Sequence, residues 1–360
     1  MKIYVNGVDL TDKTISGTVV WRRYGTFRSE LSFRLEPQFS DGVSVSYGMR
    51  AYLEDDYGSI AWAGIVTGVN EVYRNESRSG ITVRCKGYEA VLSHRFCGEY
   101  STLDTNTGAI ARTLFLIYLA TTSQTSEGFL YNPDLFSGGV PLESYYVKGK
   151  SLAKVFDELG EADGSKWWIR ENGTFFFLNG INITEAMYCV DITNTEPNRI
   201  TDLMSLEISK DMSDYRNVQT VYGANGIRSE STNTIMINGM ASYGGSGRYE
   251  GVMHNSLITS EGAATTAAVN ILRSYSNDNV EASFLTNTYG FQLFDRVRIN
   301  APQFGLYGPT PFIITEITAK DRATGDRNLA FEYKIKAKIS SEGETTFRPT
   351  EYWTETIARI

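Results

Sequence analysis

Cysteine is scarce in this chain. Cys85, Cys97 and Cys189 are the three, an odd set without a C-x-x-C pair, which argues against a disulfide framework and points to folding in a reducing cytoplasm. Histidine is scarcer, at two residues, and no G-x-S-x-G occurs, so a serine or cysteine hydrolase lacks its usual base and elbow. No stretch approaches the roughly 18 apolar residues needed to span a bilayer; "ARTLFLIYLATT" comes nearest and begins beside an arginine. The opening "MKIYVNGVDL" has no hydrophobic signal region, so we expect a protein that is soluble when made and has no stable membrane association. There is no basic block: the formal charge of −8 comes from interspersed Asp and Glu, and a groove gripping phosphate is not signalled. Negative charge suits a surface past which DNA slides, with acidic side chains repelling phosphates. Proline is rare as well (8), while Gly (33), Tyr (22) and Phe (18) are abundant, which favours strands joined by tight turns.

At 360 residues the length suggests two or three folding units. Residues 1–88 read as successive strands: Asn6-Gly7 marks a turn, and in "LSFRLE" Leu31, Phe33 and Leu35 fall on one face. A small antiparallel barrel or sandwich is expected there. Residues 89–200 read as an α+β unit, with a short helix in "YEAVLSHR", one near 107–122 behind candidate caps Thr105 and Thr107, and one near 151–160 capped by Ser151. That last helix runs into "SKWWIRENGTFFFL", a hairpin over 166–178 around Asn172-Gly173. A two-residue type I′ turn would pair Arg170 with Phe175, Ile169 with Phe176 and Trp168 with Phe177. Trp167, Ile169, Phe176 and Leu178 would then share one face and Trp168, Phe175 and Phe177 the other, the helix around Phe156 covering one of them and another element the second. Residues 201–339 return to alternation, including "NTIMINGMASYG" read as extended and a helix near 260–277 behind Ser260, and suggest a second small barrel. In its last strands Val297, Ile299, Ile313, Ile317, Phe331, Tyr333, Ile335 and Ala337 mark the apolar positions. Residues 340–360 look like an extended tail. The expected class is therefore mainly β, with two small tube-like antiparallel β-barrel domains flanking an α+β domain.

Candidate chemistry is thin. Cys85, His94 and Cys97 have a zinc-like spacing but no fourth ligand nearby, so packing is the better reading and no metal is expected. "YGGSGRYEG" (243–251) lacks the G-K-S/T ending of a phosphate loop and reads as a loop between strands. Glu158, Glu161 and Asp163, and Glu54, Asp55 and Asp56, are acidic clusters on a helix end and a turn, whereas glycosidase chemistry needs two acids facing across a cleft. Trp62, Trp167 and Trp168 lie in strands and are expected inward rather than on a sugar-binding face. Tyr352, Trp353 and Ile357 in the tail are candidate partner-docking residues. No catalytic residue and no cofactor are expected.

The order of "AWAGIVTGV" (61–69), "VRCKGYEAVLSHR" (83–95), "SLAKVFDELGEADGSKWWIRENGTFFFL" (151–178), "DYRNVQTVYGAN" (214–225) and "LFDRVRINAPQFGLYGPTPFIITEIT" (293–318) resembles the baseplate-hub proteins of phage tails. The resemblance spans most of the chain. It departs from the family's usual Gly-Asp turn, having Phe294-Asp295 in its place. It implies a non-enzymatic homotrimer whose subunits each give two tube-like domains to a ring around a channel. Its partners would be a tail tube or distal tail protein, the tape-measure protein and tip, spike or fibre proteins, with DNA only in transit. It places the protein in the virion, at the tail tip or baseplate, after synthesis in the bacterial host cytoplasm. The alternative is a carbohydrate-binding or cell-wall-degrading tip protein.

Overall fold

The computed structural model describes residues 1–25, 28–36, 45–56, 58–74, 77–120, 129–137, 139–163, 165–178, 186–210, 215–275, 280–322 and 329–339. The tail from 340, with Tyr352, Trp353 and Ile357, lies outside the described residues. The first elements are β1 (Lys2–Val5), β2 (Val8–Asp9), β3 (Val20–Tyr24), β4 (Ser29–Leu35), β5 (Arg50–Glu54), β6 (Ile60–Arg74) and β7 (Ser77–Gly87). Next come α1 (Glu89–His94), β8 (Tyr100–Asn106), α2 (Thr107–Phe115), β9 (Pro141–Val147), α3 (Leu152–Asp163), β10 (Lys166–Ile169) and β11 (Phe175–Leu178). The chain continues with β12 (Val190–Asp191), β13 (Ser205–Lys210), β14 (Val218–Tyr222), β15 (Arg228–Thr232), α4 (Thr234–Ala241), β16 (Glu250–His254) and α5 (Glu261–Tyr275). It closes with β17 (Val280–Thr286), β18 (Arg296–Ala301), β19 (Leu306–Asp321) and β20 (Phe331–Ile339).

The protein is mainly β, built on one large, mostly antiparallel sheet of order β13-β17-β20-β19-β3-β4-β7-β6-β5-β1-β2, with β18 against β19 and β12 against β18. This corrects the expectation of two separate closed barrels: among the described residues neither region closes on itself, and they join edge to edge. The reason lies in β19. Its first half pairs with β18, from Ile313 opposite Arg296 to Leu306 opposite Ala301. Its second half runs beyond β18 and would expose unpaired N–H and C=O groups, a costly edge. β3 takes that edge, from Glu316 opposite Tyr24 to Lys320 opposite Val20. A bulge between Ile314 and Glu316 marks the changeover and shifts the alternation, so Ile314 and Ile317 are buried while Ile313 is only half-buried.

Two cores result. One lies on the dry face of the large sheet and holds Ile3, Phe33, Trp62, Phe284 and Phe312 among its fully buried members. Leu31, Phe33 and Leu35 enter it by strict alternation, as their spacing predicts. The other collects α1, α2, α3, β9 and the β10–β11 hairpin, together with Val221 of β14, Ile258, and Ala264 and Ala268 of α5. α5 forms where its periodicity predicts, with the Ser260 hydroxyl accepting the Ala263 N–H at 3.2 Å, and its alanine face packs into this second core rather than under the large sheet.

Two local expectations change. Asn106, not Thr105 or Thr107, caps α2, its side chain accepting the Ala109 N–H at 2.7 Å. The segment read as extended after Asn233 is helix α4, started by the Asn233 side chain accepting the Met236 N–H at 3.2 Å; its β-branched residues suggested a strand, and the cap decides otherwise.

Candidate functional site

The aromatic hairpin fixes how the two cores meet. Its register differs by one residue from the type I′ expectation: Trp167 faces Phe177, Trp168 faces Phe176 and Ile169 faces Phe175. The loop has three residues, Glu171 to Gly173, with Gly173 at φ 85° and Asn172 outside the left-handed region. Asn172 bonds forward instead, its Oδ1 accepting the Thr174 N–H at 3.0 Å, while the Gly173 N–H returns to Arg170 O at 2.9 Å. Such a turn followed by a left-handed glycine is the other short hairpin that Asn-Gly permits. A one-residue slip exchanges the faces. Trp167, Ile169, Phe175 and Phe177 therefore enter the second core, where Phe156 lies 5.0 Å from Phe175 and 5.9 Å from Trp167 between ring centres. Trp168, Phe176 and Leu178 form a separate cluster with Leu135, against which Phe294 packs.

Phe294 is the residue that replaces glycine in the expected turn, and it holds φ 67°. A left-handed phenylalanine costs about 1–2 kcal/mol, offset here by the ring closing the outer side of the hairpin. We expect Phe294→Ala to destabilise by about 2 kcal/mol through lost burial. Phe294→Gly should lose less, by about 1 kcal/mol, because it also removes the strain. Chemical denaturation of the two variants checks the order; alanine above glycine would show that the backbone is not strained.

At the hairpin tip Glu171 is ion-paired with Arg23 of β3, and Arg23 also donates to Ala61 O. Nearby, Glu89 opens α1 and is buried; its carboxylate accepts the Ser29 N–H. It occupies space that a Cβ at Gly87 would fill, which is why β7 ends on glycine. Burial pushes Glu89 up to about 7, and the field of Glu171 adds to this, while backbone N–H donors and Arg28 oppose it. A cleft of about 340 Å³ opens beside the tip, lined by Asn6, Arg50, Tyr52, Tyr88, Phe129 and the turn residues.

The wet face of the large sheet is the other feature of note. Cross-strand pairing lines up Leu285, Lys334, Thr318, Arg22, Glu30 and Lys86 in one row through β17, β20, β19, β3, β4 and β7. A second row passes through Glu207, Ser283, Lys336, Glu316 and Tyr24. Both cross the β19–β3 seam without interruption. Arg22, Glu30, Arg84, Lys86, Lys334 and Lys338 on this face are exposed.

No protein-family model matches the chain, and no curated protein sequence matches it. Solved structures do. A 43 kDa tail protein of prophage MuSo2 from Shewanella oneidensis superposes with a TM-score of 0.65 at 12% identity, over 93% of this chain and 97% of that one. The tail protein from Neisseria meningitidis MC58 gives 0.67 at 12% identity, over 96% and 97%. The chain has the fold of prophage tail proteins. The E. coli c3393 protein, a component of the type VI secretion system with structural similarity to T4 bacteriophage tail proteins gp27 and gp5, shares it at a TM-score of 0.55 and 12% identity, over 97% of this chain and 80% of that one.

On this tail-protein fold the candidate chemical groups are dispersed. Cys85 packs in the first core and Cys97 in the second, and His94 is exposed, so the zinc-like spacing does not make one site; burial pushes the Cys85 thiol up to about 12. Glu158 is paired with Lys150 at 2.8 Å, and Asp56 with the N-terminal ammonium at 2.7 Å. Asp55 is buried and accepts the Ser59 N–H at 2.8 Å. These acids serve a helix and a turn. Trp62 and Trp168 are buried and Trp167 is half-buried. The segment 243–251 lies in an arm that reaches from β15 through α4 to β16. From Ser231 to Gly247 this arm contains no Asp, Glu, Lys or Arg, α4 buries none of its residues, and Ile235 and Tyr243 are 83% and 89% exposed. Its base is fixed by buried Asn217, which donates to Gly247 O at 2.7 Å and accepts the Tyr249 N–H at 2.8 Å. Sequence reading missed this arm, although its lack of charge was visible.

Proposed function

We propose that this chain is a non-enzymatic hub of a phage or prophage tail tip. Three copies form a pseudo-sixfold ring that joins the tail tube or distal tail protein to the tip, spike or fibre proteins and surrounds a passage for the tape-measure protein and DNA. The observation that carries this reading is the seam between β19 and β3. Two strand-rich regions of one chain share a single uninterrupted wet face, so three chains would present six such regions around one bore. The wall would be made by the strands of 1–88 and 201–339 that join the large sheet. The brace would be the 89–200 region with β14, β15, β16 and α5, which share its core. The overall likeness to prophage tail proteins supports the same assignment.

An obligate ring of this kind buries more than about 2,000 Å² per contact. The uncharged arm, with Ile235 and Tyr243 exposed, is a surface available to a neighbouring copy, since like-charged subunits approach at least cost where charge is absent. Light scattering on purified protein should give three times the single-chain mass at high concentration, and Ile235→Asp with Tyr243→Asp should reduce it to one without lowering the unfolding midpoint. A stable single chain that binds cell-wall glycans would replace the hub with a receptor or wall-binding role.

A further inference from the structure

The sign of charge on the wet face runs against that of the chain. Counted over β13, β17, β20, β3, β4, β7 and β19 from Ile313 onward, this face carries eight of the 34 Lys and Arg but only five of the 42 Asp and Glu. A chain of net charge −8 has thus placed an excess of cations on the one broad face that both strand-rich regions share. Two of the five acids, Glu316 and Glu281, are neutralised locally by Lys336 at 2.7 Å and Lys338 at 3.0 Å. At the centre of the face Lys334, Arg22 and Lys86 lie in one row, with Glu30 between Arg22 and Lys86, and Arg84 stands beside them opposite Ser32. A hydrogen bond to Tyr24, opposed by partial burial and helped by the fields of Tyr24, Glu30 and Glu316, raises Arg22 above its ordinary value.

We propose that this face contacts the phosphate backbone of nucleic acid, weakly and without reading sequence. Three geometrical facts favour a phosphodiester chain over other anions. The platform is wide: seven strands at about 4.8 Å spacing give about 29 Å across. Its lysines are periodic: Lys334, Lys336 and Lys338 alternate along β20, about 6.8 Å apart, which is two steps of the roughly 3.4 Å axial spacing of charges along one DNA strand, and phosphate would compete with Glu316 and Glu281 for the last two. Groups that read bases are sparse: Tyr24 is the aromatic residue of the face, so binding would be electrostatic. The interspersed glutamates keep affinity low, a property suited to a surface along which a polymer must move. This replaces the expectation of an acidic lining. It rests on the hub reading only for the source of the nucleic acid, because the charge of the face is independent of any ring.

The test is the binding of the full chain to a short mixed-sequence DNA duplex, followed by fluorescence anisotropy as salt is varied. With about three phosphates neutralised, affinity should fall about 40-fold between 50 and 200 mM salt, and the sequence of the duplex should not matter. The triple variant Arg22→Glu, Lys86→Glu and Lys334→Glu should lose both the binding and its salt dependence while keeping its circular dichroism. The triple variant Lys148→Glu, Lys154→Glu and Lys166→Glu, reversing exposed charges off this face, should retain them. Absence of salt-dependent binding, or equal loss in both variants, overturns the proposal. So does a change of assembly mass in the first variant with DNA binding intact, which would make the face a contact between copies. A chain that stays single yet binds DNA through these residues keeps this proposal and sinks the ring; a trimer that ignores DNA does the reverse.

Discussion

Phe175→Ala should lower stability by about 3–5 kcal/mol, among the largest losses any single truncation in this protein would produce. Phe175 is fully buried and meets four aromatic rings, with Phe115 at 4.9 Å, Phe156 at 5.0 Å, Phe136 at 5.5 Å and Trp167 at 6.2 Å between centres. Removing it leaves a cavity walled by large rings whose positions are set by α2, α3 and the 129–137 segment, so collapse is limited. Phe304→Ala is the control, because that ring is 39% exposed and its loss should cost well under 1 kcal/mol. Urea unfolding of both variants gives the comparison. A loss below about 1 kcal/mol for Phe175→Ala would mean that the hairpin does not anchor the second core.

Glu89→Gln should change how stability depends on pH. The folded carboxyl titrates at about 7 against an ordinary 4.5, so its raised value makes folding favourable at low pH. That contribution is fully present below about 4.5, declines as pH rises, and is lost above about 7; the span is on the order of 3 kcal/mol. Glutamine cannot ionise and keeps an oxygen for the Ser29 N–H. Between about pH 4 and pH 8 the variant should therefore gain on the parent by roughly that amount. Denaturation midpoints at several pH values measure it, and parallel curves for the two proteins would show that Glu89 is solvated. The groups around it are Ser29, Arg28, Glu171 and the chain end of β7 at Gly87. A change there would be felt where the hairpin tip meets the large sheet.

Much of the architecture was legible because burial on one side imposes a period. Leu31, Phe33 and Leu35 declared a half-buried strand, and the alanines of α5 a packed helix. What could not be read were features decided by partners distant in sequence. The hairpin register turned on a side chain, Asn172, that could bond forward or take a left-handed backbone, and Asn-Gly is compatible with both. The seam between β19 and β3 joins residues some three hundred positions apart, and nothing in either strand names the other. The sign of the wet face was hidden for the same reason: its cations come from β3, β4, β7, β19 and β20, and only the pairing shows that they share a surface. The uncharged arm was readable as composition, but the density of Ile and Thr suggested a strand until the Asn233 cap was seen.

The common bore is tested most directly by an image of the assembled tail tip at a resolution that separates strands. Three copies should surround one axis, with β3, β4, β7, β17, β19 and β20 of each turned inward so that Arg22, Lys86 and Lys334 face the opening. Copies whose wet faces point outward, or lie covered by another protein, would contradict it.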